Sequence, residues 1–162
     1  RQITLEDMHE SADRFNHLAE KITGAGMRFA YHTHGMDFRR YGDVVAFDDM
    51  VQRTDPKHVS FQLDIGNAIA ANADPIEYLR KYPTRFCLGH VKDWTRLTTG
   101  ETDILPPRAP FGKGVIDWKT TIRAAKAAGI QTYFIEQEEV TAQNAIAVLR
   151  QGYQYFQTLT RA

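Results

Sequence analysis

The chain has 162 residues, 43% of them hydrophobic and 25% charged, the balance of a globular domain long enough to bury a core of its own. Twenty basic side chains offset twenty acidic ones, which leaves no cationic excess to displace counterions from a nucleic-acid backbone, and no apolar run reaches membrane-spanning length. Cys87 is the only cysteine, so an intrachain disulfide and a paired-cysteine zinc site are excluded, and a reducing cytoplasm is the compartment that fits.

The stretch "TLEDMHESADRFNHLAEKITGAG" predicts a helix, with Thr4 as N-cap and Asp7 near its third position. Leu5, Met8, Ala12, Phe15, Leu18 and Ile22 recur at helical spacing, and Gly24 or Gly26 ends the run. "MRFAYHTHG" reads as a strand, "FDDMVQRTDP" as a short helix stopped by Pro56, and "HVSFQLDIGN" as a second strand. "DPIEYLRKYP" is a helix capped by Asp74, with Pro75 in its first turn and Pro83 as terminator. A third strand, "RFCLGHVKD", leads into an irregular stretch at 94–114, rich in Gly, Pro and Thr. Loops of that length in a compact domain are usually functional or disordered. "IDWKTTIRAAKAAG" is a helix capped by Asp117 and stopped by Gly129, "QTYFIEQEE" a fourth strand, and "TAQNAIAVLRQGYQYFQTLT" a closing helix capped by Thr141. Strands separated by helices imply parallel pairing in an α/β fold, with no linker dividing the chain.

The strand ends share a pattern. The first closes with His32 and His34, the second with Gln62 and Asp64, the third with His90 and Lys92, the fourth with Glu136 and Glu138. Each pair is spaced i, i+2, so both members face one side of their strand. The other side holds Phe29 and Tyr31, Phe61 and Leu63, Cys87, Gly89 and Val91, Tyr133 and Ile135. Strands of a helix-covered parallel sheet ordinarily read as apolar runs, and ligand sites sit at their carboxyl ends. His32, Asp64, His90 and Glu136 converging there are a ligand set for one divalent metal of intermediate hardness. Mn²⁺ comes first; Zn²⁺, Co²⁺, Fe²⁺ or Mg²⁺ are also admissible.

Other candidates read differently. His9 and His17 lie on the first helix as surface groups, and His58 sits at a strand start, the stability end of such folds. "FGKG" at 111–114 only superficially resembles a phosphate-cradling glycine loop. Trp94 follows the third strand and is placed to line a sugar pocket, whereas Cys87 points away from the site by parity.

In order along the chain, "YHTHGMDF", "LDIGN", "HVKDW", "GKGVIDW" and "IEQEE" resemble the motifs of the sugar phosphate isomerase/epimerase family, the xylose-isomerase-like TIM barrels. The resemblance implies a (β/α)₈ barrel with one metal in its C-terminal mouth. Only four βα units are present, which reads as a single partial barrel domain over residues 1–162, apparent strands five to eight. A missing N-terminal half-barrel or a homodimer would close it, and the chain starts at Arg1 without a signal pattern. On this resemblance Asp64, His90 and Glu136 match metal ligands, and His32 stands where the epimerases carry a glutamate that is half of their acid/base pair. Asn67 falls at a substrate-contacting position, and Lys92 is placed to bind substrate oxygens. Glu138 is likewise assigned to substrate. Thr33 and Asp37 replace an Asn and a Glu. Lys113 replaces a Glu, which is expected to alter the charge of the pocket.

The chemistry implied is proton transfer beside a sugar carbonyl through an enediolate, with Glu136 as base and Lys92 or His34 as proton donor. Isomerisation or epimerisation of a sugar or sugar phosphate is the first expectation. A lyase or dehydratase acting on keto-sugars or keto-glycosides shares the intermediate and is the alternative. A metal nuclease of the apurinic endonuclease type and a non-catalytic sugar-binding module are the readings from other classes.

Overall fold

The computed structural model describes residues 3–97, 105–138 and 140–161, so part of the irregular stretch at 94–114 lies outside the described residues. Helix α1 (Leu5–Gly24) opens on the expected capping box: Thr4 Oγ1 accepts from Asp7 N–H at 3.2 Å, and Asp7 Oδ2 accepts from Thr4 N–H at 2.8 Å. Its buried line is Met8, Ala12 and Ala19. Leu18, expected on that face, is 48% exposed, because the spacing that includes Met8 and Ala12 continues through Ala19.

Strand β1 (Phe29–His32) is followed by a 3₁₀ turn (Gly35–Phe38) and the small hairpin β2 (Arg40–Tyr41) and β3 (Val44–Val45). Then come α2 (Ala46–Arg53), β4 (Val59–Asp64), α3 (Ile65–Ala70), α4 (Pro75–Lys81), β5 (Phe86–Val91), β6 (Asp93–Trp94), β7 (Arg108–Ala109), α5 (Trp118–Ala127), β8 (Thr132–Ile135) and α6 (Ala145–Thr160). The 3₁₀ turn and the β2–β3 hairpin add to the sequence reading, and three further elements differ from it. The segment after Asp64 turns at once into α3, because the Asp64 carboxylate accepts from Asn67 N–H and caps a helix there. The irregular stretch contains the antiparallel pair β6–β7. Helix α6 begins at Ala145 rather than after Thr141, since the Asn144 side chain accepts from Thr141 N–H and closes a turn first.

The main sheet is parallel throughout, in the order β1–β4–β5–β8. Its register sets Asp64 beside His90, with His90 beside Phe134 in turn. One slip interrupts it: Phe61 pairs with Phe86, but Gln62 pairs with Leu88. The slip lets Phe86 join Phe61, Leu63 and Val91 in the core, where Cys87 was expected by simple alternation. Phe61 is fully buried against Phe47 and Phe86, a packing whose loss on truncation to Ala costs about 3–5 kcal/mol. Helices α1, α2 and α5 add Met8, Ala12, Phe47, Met50, Trp118 and Ile122 to this layer, so the apolar side of each strand is sealed by helices. The opposite side of the sheet lines a cleft.

Strands β1 and β8 are the two edges of this sheet. Phe134 on β8 is 49% exposed and Ile146 on α6 is 73% exposed, so that flank is partly apolar. Among the described residues no helix is long and apolar enough to cross a membrane.

Candidate active site

Asp64 is the centre of the site. It ends β4, is fully buried, and its own N–H donates to Thr33 Oγ1 at 3.0 Å. Asn67 N–H donates to Oδ1 at 2.8 Å and Asn67 Nδ2 donates to Oδ2 at 2.8 Å. Around Oδ2 stand His90 Nδ1 at 3.0 Å, His32 Nε2 at 3.3 Å and Lys92 Nζ at 3.3 Å. Burial alone would push this carboxyl up, but the bonds from His32 and His90 and the charge of Lys92 outweigh it and hold Asp64 far below the usual carboxylate range.

His32 comes from the end of β1. Its Nδ1 lies 2.6 Å from Gln62 Oε1 and its Nε2 3.3 Å from Asp64 Oδ2, an acceptor at each ring nitrogen, so this setting favours the ring with both nitrogens protonated and donating; deprotonation of Nε2 would free that nitrogen for a cation. The bond to Asp64 foremost raises the pKa of His32. His34 packs its ring 4.8 Å from that of His32 and is lowered, chiefly by burial. Asp37 fixes the backbone at His34: it is fully buried, accepts from His34 N–H at 2.7 Å and from Tyr31 Oη at 3.1 Å, and burial pushes its pKa up to about 6.

Beyond β5 and β8 lies a chain of charges. Lys92 Nζ is 2.6 Å from Glu136 Oε2 and 3.9 Å from Glu138 Oε1, and the Arg108 Nε pairs with Glu138 Oε2. Burial acts to lower the Lys92 pKa, but the charges of Asp64 and Glu136 prevail and raise it. Gly66 makes room for this lysine: a Cβ there would lie 2.4 Å from Lys92 Cγ and 2.6 Å from Lys92 O. "LDIGN" thus has a physical account, in which Asp64 is the hub, Gly66 the clearance for Lys92, and Asn67 the brace of Asp64.

The donor set fits a divalent cation. One ligand atom each from His32, Asp64 and His90 lies within 4.8 Å of the others. Adjacent ligands on an ion with bonds of about 2.1 Å are themselves about 3–3.4 Å apart, and the His90–Asp64 and His32–Asp64 contacts at 3.0 and 3.3 Å match that spacing. Glu136 Oε2 approaches His90 Nδ1 to 3.6 Å, while Lys92 draws the same oxygen closer. His32, His90, Lys92 and Glu136 open into one cleft of about 1650 Å³, lined also by His34, Asn67, Arg108 and Glu138, with Asp64 buried behind them.

Two sequence-derived assignments are placed outside the cleft, and a third borders it with its donors already engaged. Trp94 does not line the cleft; it is fully buried, with Nε1 donating to Gly66 O at 2.7 Å. Asn67 reaches the cleft, but both its N–H and its side-chain amide are committed to Asp64. Lys113 is exposed and borders an outer crevice beside Gln154 and Tyr155, not the metal-facing cleft, because the glycine loop turns it away.

Two residues that carry the architecture were not singled out from the sequence. Asp93 enters the sequence reading only within "HVKDW", yet it is buried. It accepts from Gly112 N–H at 3.1 Å, Gly114 N–H at 3.0 Å and Trp118 Nε1 at 2.9 Å. The glycine loop does cradle an anion, and that anion is the protein's own carboxylate. Gly112 adopts φ +83°, and a Cβ on Gly114 would lie 2.1 Å from Asp93 Oδ1, so larger residues do not fit. Arg108 lay unmarked in the irregular stretch, and only the pairing of β7 with β6 brings it to Glu138.

A family described as the xylose isomerase-like TIM barrel matches residues 2–159. The inosose dehydratase of Geobacillus thermodenitrificans is 28% identical over 149 residues, covering 84% of this chain and 48% of that protein. A sugar phosphate isomerase/epimerase from Parabacteroides distasonis aligns with a TM-score of 0.78 and 27% identity, covering 96% of this chain and 55% of that one. The IOLI protein, solved with a zinc atom, is alike in fold, with a TM-score of 0.72 and 20% identity over 94% of this chain and 57% of that one. The chain thus spans about half the length of the relatives it matches.

Proposed function

Because the chain belongs to the xylose isomerase-like TIM barrel family, we propose that it serves a metal-dependent lyase that dehydrates a keto-sugar or keto-polyol. The observation that carries this reading is the placement of the carboxylates. Glu136 and Glu138 both follow β8, whereas His32, at the end of β1, stands where the family resemblance implies an epimerase's second acid/base carboxylate. Epimerisation requires proton transfer at both faces of one carbon. Elimination requires one base and one acid, and Glu136 and Lys92 form such a pair 2.6 Å apart. The 28% identity to an inosose dehydratase supports the same class.

His32, Asp64, His90 and Glu136 would hold the cation, Mn²⁺ first among the candidates. When bound, the cation supplies Lewis-acid polarisation of the substrate carbonyl, which acidifies the adjacent C–H. Glu136 removes that proton. The β-hydroxyl leaves as water, taking a proton from Lys92, which lies beside Glu136, or from His34, which borders the same cleft. Asn67 and Thr33 keep Asp64 in place, and Asp37 keeps His34 in place.

The test is incubation of the metal-loaded protein with keto-polyols in D₂O. The expected result is formation of the dehydrated product, detected by mass and by its conjugated carbonyl absorbance. An epimer or an aldose formed without loss of water would replace the lyase with the isomerase/epimerase reading.

A further inference from the structure

We propose that Arg108, paired with Glu138, is a substrate-contacting specificity residue that reads two adjacent hydroxyl groups of a neutral substrate. The inference rests on the metal-dependent keto-polyol reading above and names the part of the substrate that the metal-facing groups do not touch.

Four observations carry it. First, Arg108 borders the same cleft as His32, His90, Lys92 and Glu136. Second, it ends a run of charges that leads outward from Asp64 through Lys92, Glu136 and Glu138. It therefore stands at the outer end of that run, with Glu138 between it and Lys92. Third, Arg108 is held rigidly for a residue in an irregular stretch. Its guanidinium lies 5.5 Å from the centroid of the Trp94 ring, and Trp94 is anchored through Nε1 to Gly66 O. Its strand β7 pairs with β6, and the loop that follows is bound at Gly112 and Gly114 by the Asp93 carboxylate. A side chain resting on a buried indole, carried on a strand whose following loop is held by a buried carboxylate, is pre-organised for recognition and has less entropy to lose on binding.

Fourth, the chemistry of the pair selects a substrate class. Arg108 offers donors only, and Glu138, when ionised, offers acceptors only. A hydroxyl that donates to Glu138 while its neighbour accepts from Arg108 satisfies both, and vicinal hydroxyls on a sugar or inositol ring have that arrangement. The pair carries no net charge, and Glu138 places a carboxylate where a phosphate would be repelled. The groups at this end of the cleft therefore match an unphosphorylated polyol.

The experiment uses the unsubstituted chain, Arg108→Met and Arg108→Lys, each titrated calorimetrically with Mn²⁺ and then with keto-inositol, with a keto-inositol lacking one hydroxyl distant from the carbonyl, and with fructose 6-phosphate. The expected result is Mn²⁺ affinity equal within about twofold in all three proteins. Keto-inositol should bind Arg108→Met about tenfold or more weakly, with partial recovery in Arg108→Lys. The deoxy analogue should bind the unsubstituted chain weakly and be insensitive to Arg108→Met. Equal keto-inositol affinity in all three proteins, preference for fructose 6-phosphate, or binding of neither compound by a chain that holds Mn²⁺ would overturn the assignment of Arg108. Failure of the unsubstituted chain to bind Mn²⁺ would overturn the metal reading on which it rests.

Discussion

Lys92 Nζ lies 2.6 Å from Glu136 Oε2, so the ammonium holds the carboxylate proposed as a ligand to the cation. It also lies 3.3 Å from Asp64 Oδ2. Replacing Lys92 with Met removes positive charge from beside the ligands without removing a ligand. Mn²⁺ affinity should therefore hold or tighten, while turnover falls on the order of 10²–10⁴-fold through loss of the proton donor. Calorimetry and turnover measured on the same preparation check both halves. Loss of metal binding in Lys92→Met would make the lysine a structural support instead.

Proton and metal compete at His32. Its folded-state pKa is raised above the ordinary 6.5, chiefly by the bond to Asp64. The stabilisation this gives the metal-free protein is complete below pH 6.5 and is lost as pH rises through the folded value. Metal binding needs the neutral ring, so Mn²⁺ affinity climbs over the same interval. Between pH 6 and 8 the gain in Tm on adding Mn²⁺ should widen, and His32→Gln should flatten that trend. A gain independent of pH would remove His32 from the ligand set.

Asp37 predicts a second pH dependence, of a different origin. Burial raises its pKa from 3.8 to about 6, so the folded state favours the protonated carboxyl, and stability falls as pH rises from about 4 through 6. The ionised group costs on the order of 3 kcal/mol at pH 7. In Asp37→Asn the amide oxygen can accept from His34 N–H while its nitrogen donates to Tyr31 Oη, so both contacts survive without the charge. Thermal unfolding at pH 5 and pH 7 should differ less in Asp37→Asn than in the unsubstituted protein. Parallel pH profiles would contradict this.

Gly66→Ala tests the clearance around Lys92. The added methyl would fall 2.4 Å from Lys92 Cγ and 2.6 Å from its carbonyl oxygen, and the second of these is backbone that cannot swing aside. A loss of about 1–3 kcal/mol in stability is expected, together with reduced turnover because Lys92 is displaced from Glu136. Urea unfolding and turnover on one sample measure both. Full activity at unchanged stability would show that the lysine can shift at no cost.

Much of this was legible from the residues because a strand has a strict period of two. His32, Asp64, His90 and Lys92 fall on one side of neighbouring strands by arithmetic, and parallel pairing does the rest. Cys87 is where that arithmetic failed, since one slipped register hands the core position to Phe86. Thr33 and Asp37 looked like departures from a motif, and only the folded backbone reveals them as braces of Asp64 and His34. Arg108 could not be read at all, because its partner Glu138 is thirty residues away and a two-residue strand brings them together. Trp94 misled because an indole beside a polar strand end is equally suited to a sugar or to a buried carbonyl.

The carboxylate of Asp93 sits on one segment while the amides it gathers, Gly112 and Gly114, sit on another. The shape of the cleft's outer wall is therefore written in two separated places. Exchanging residues 105–114 with those of a relative would transplant Arg108's position only if the acceptor strand already ends in an aspartate at that site. Diversification of substrate preference on this scaffold is channelled accordingly: side chains on the wall are free to vary, while the bolt that holds the wall must travel with it.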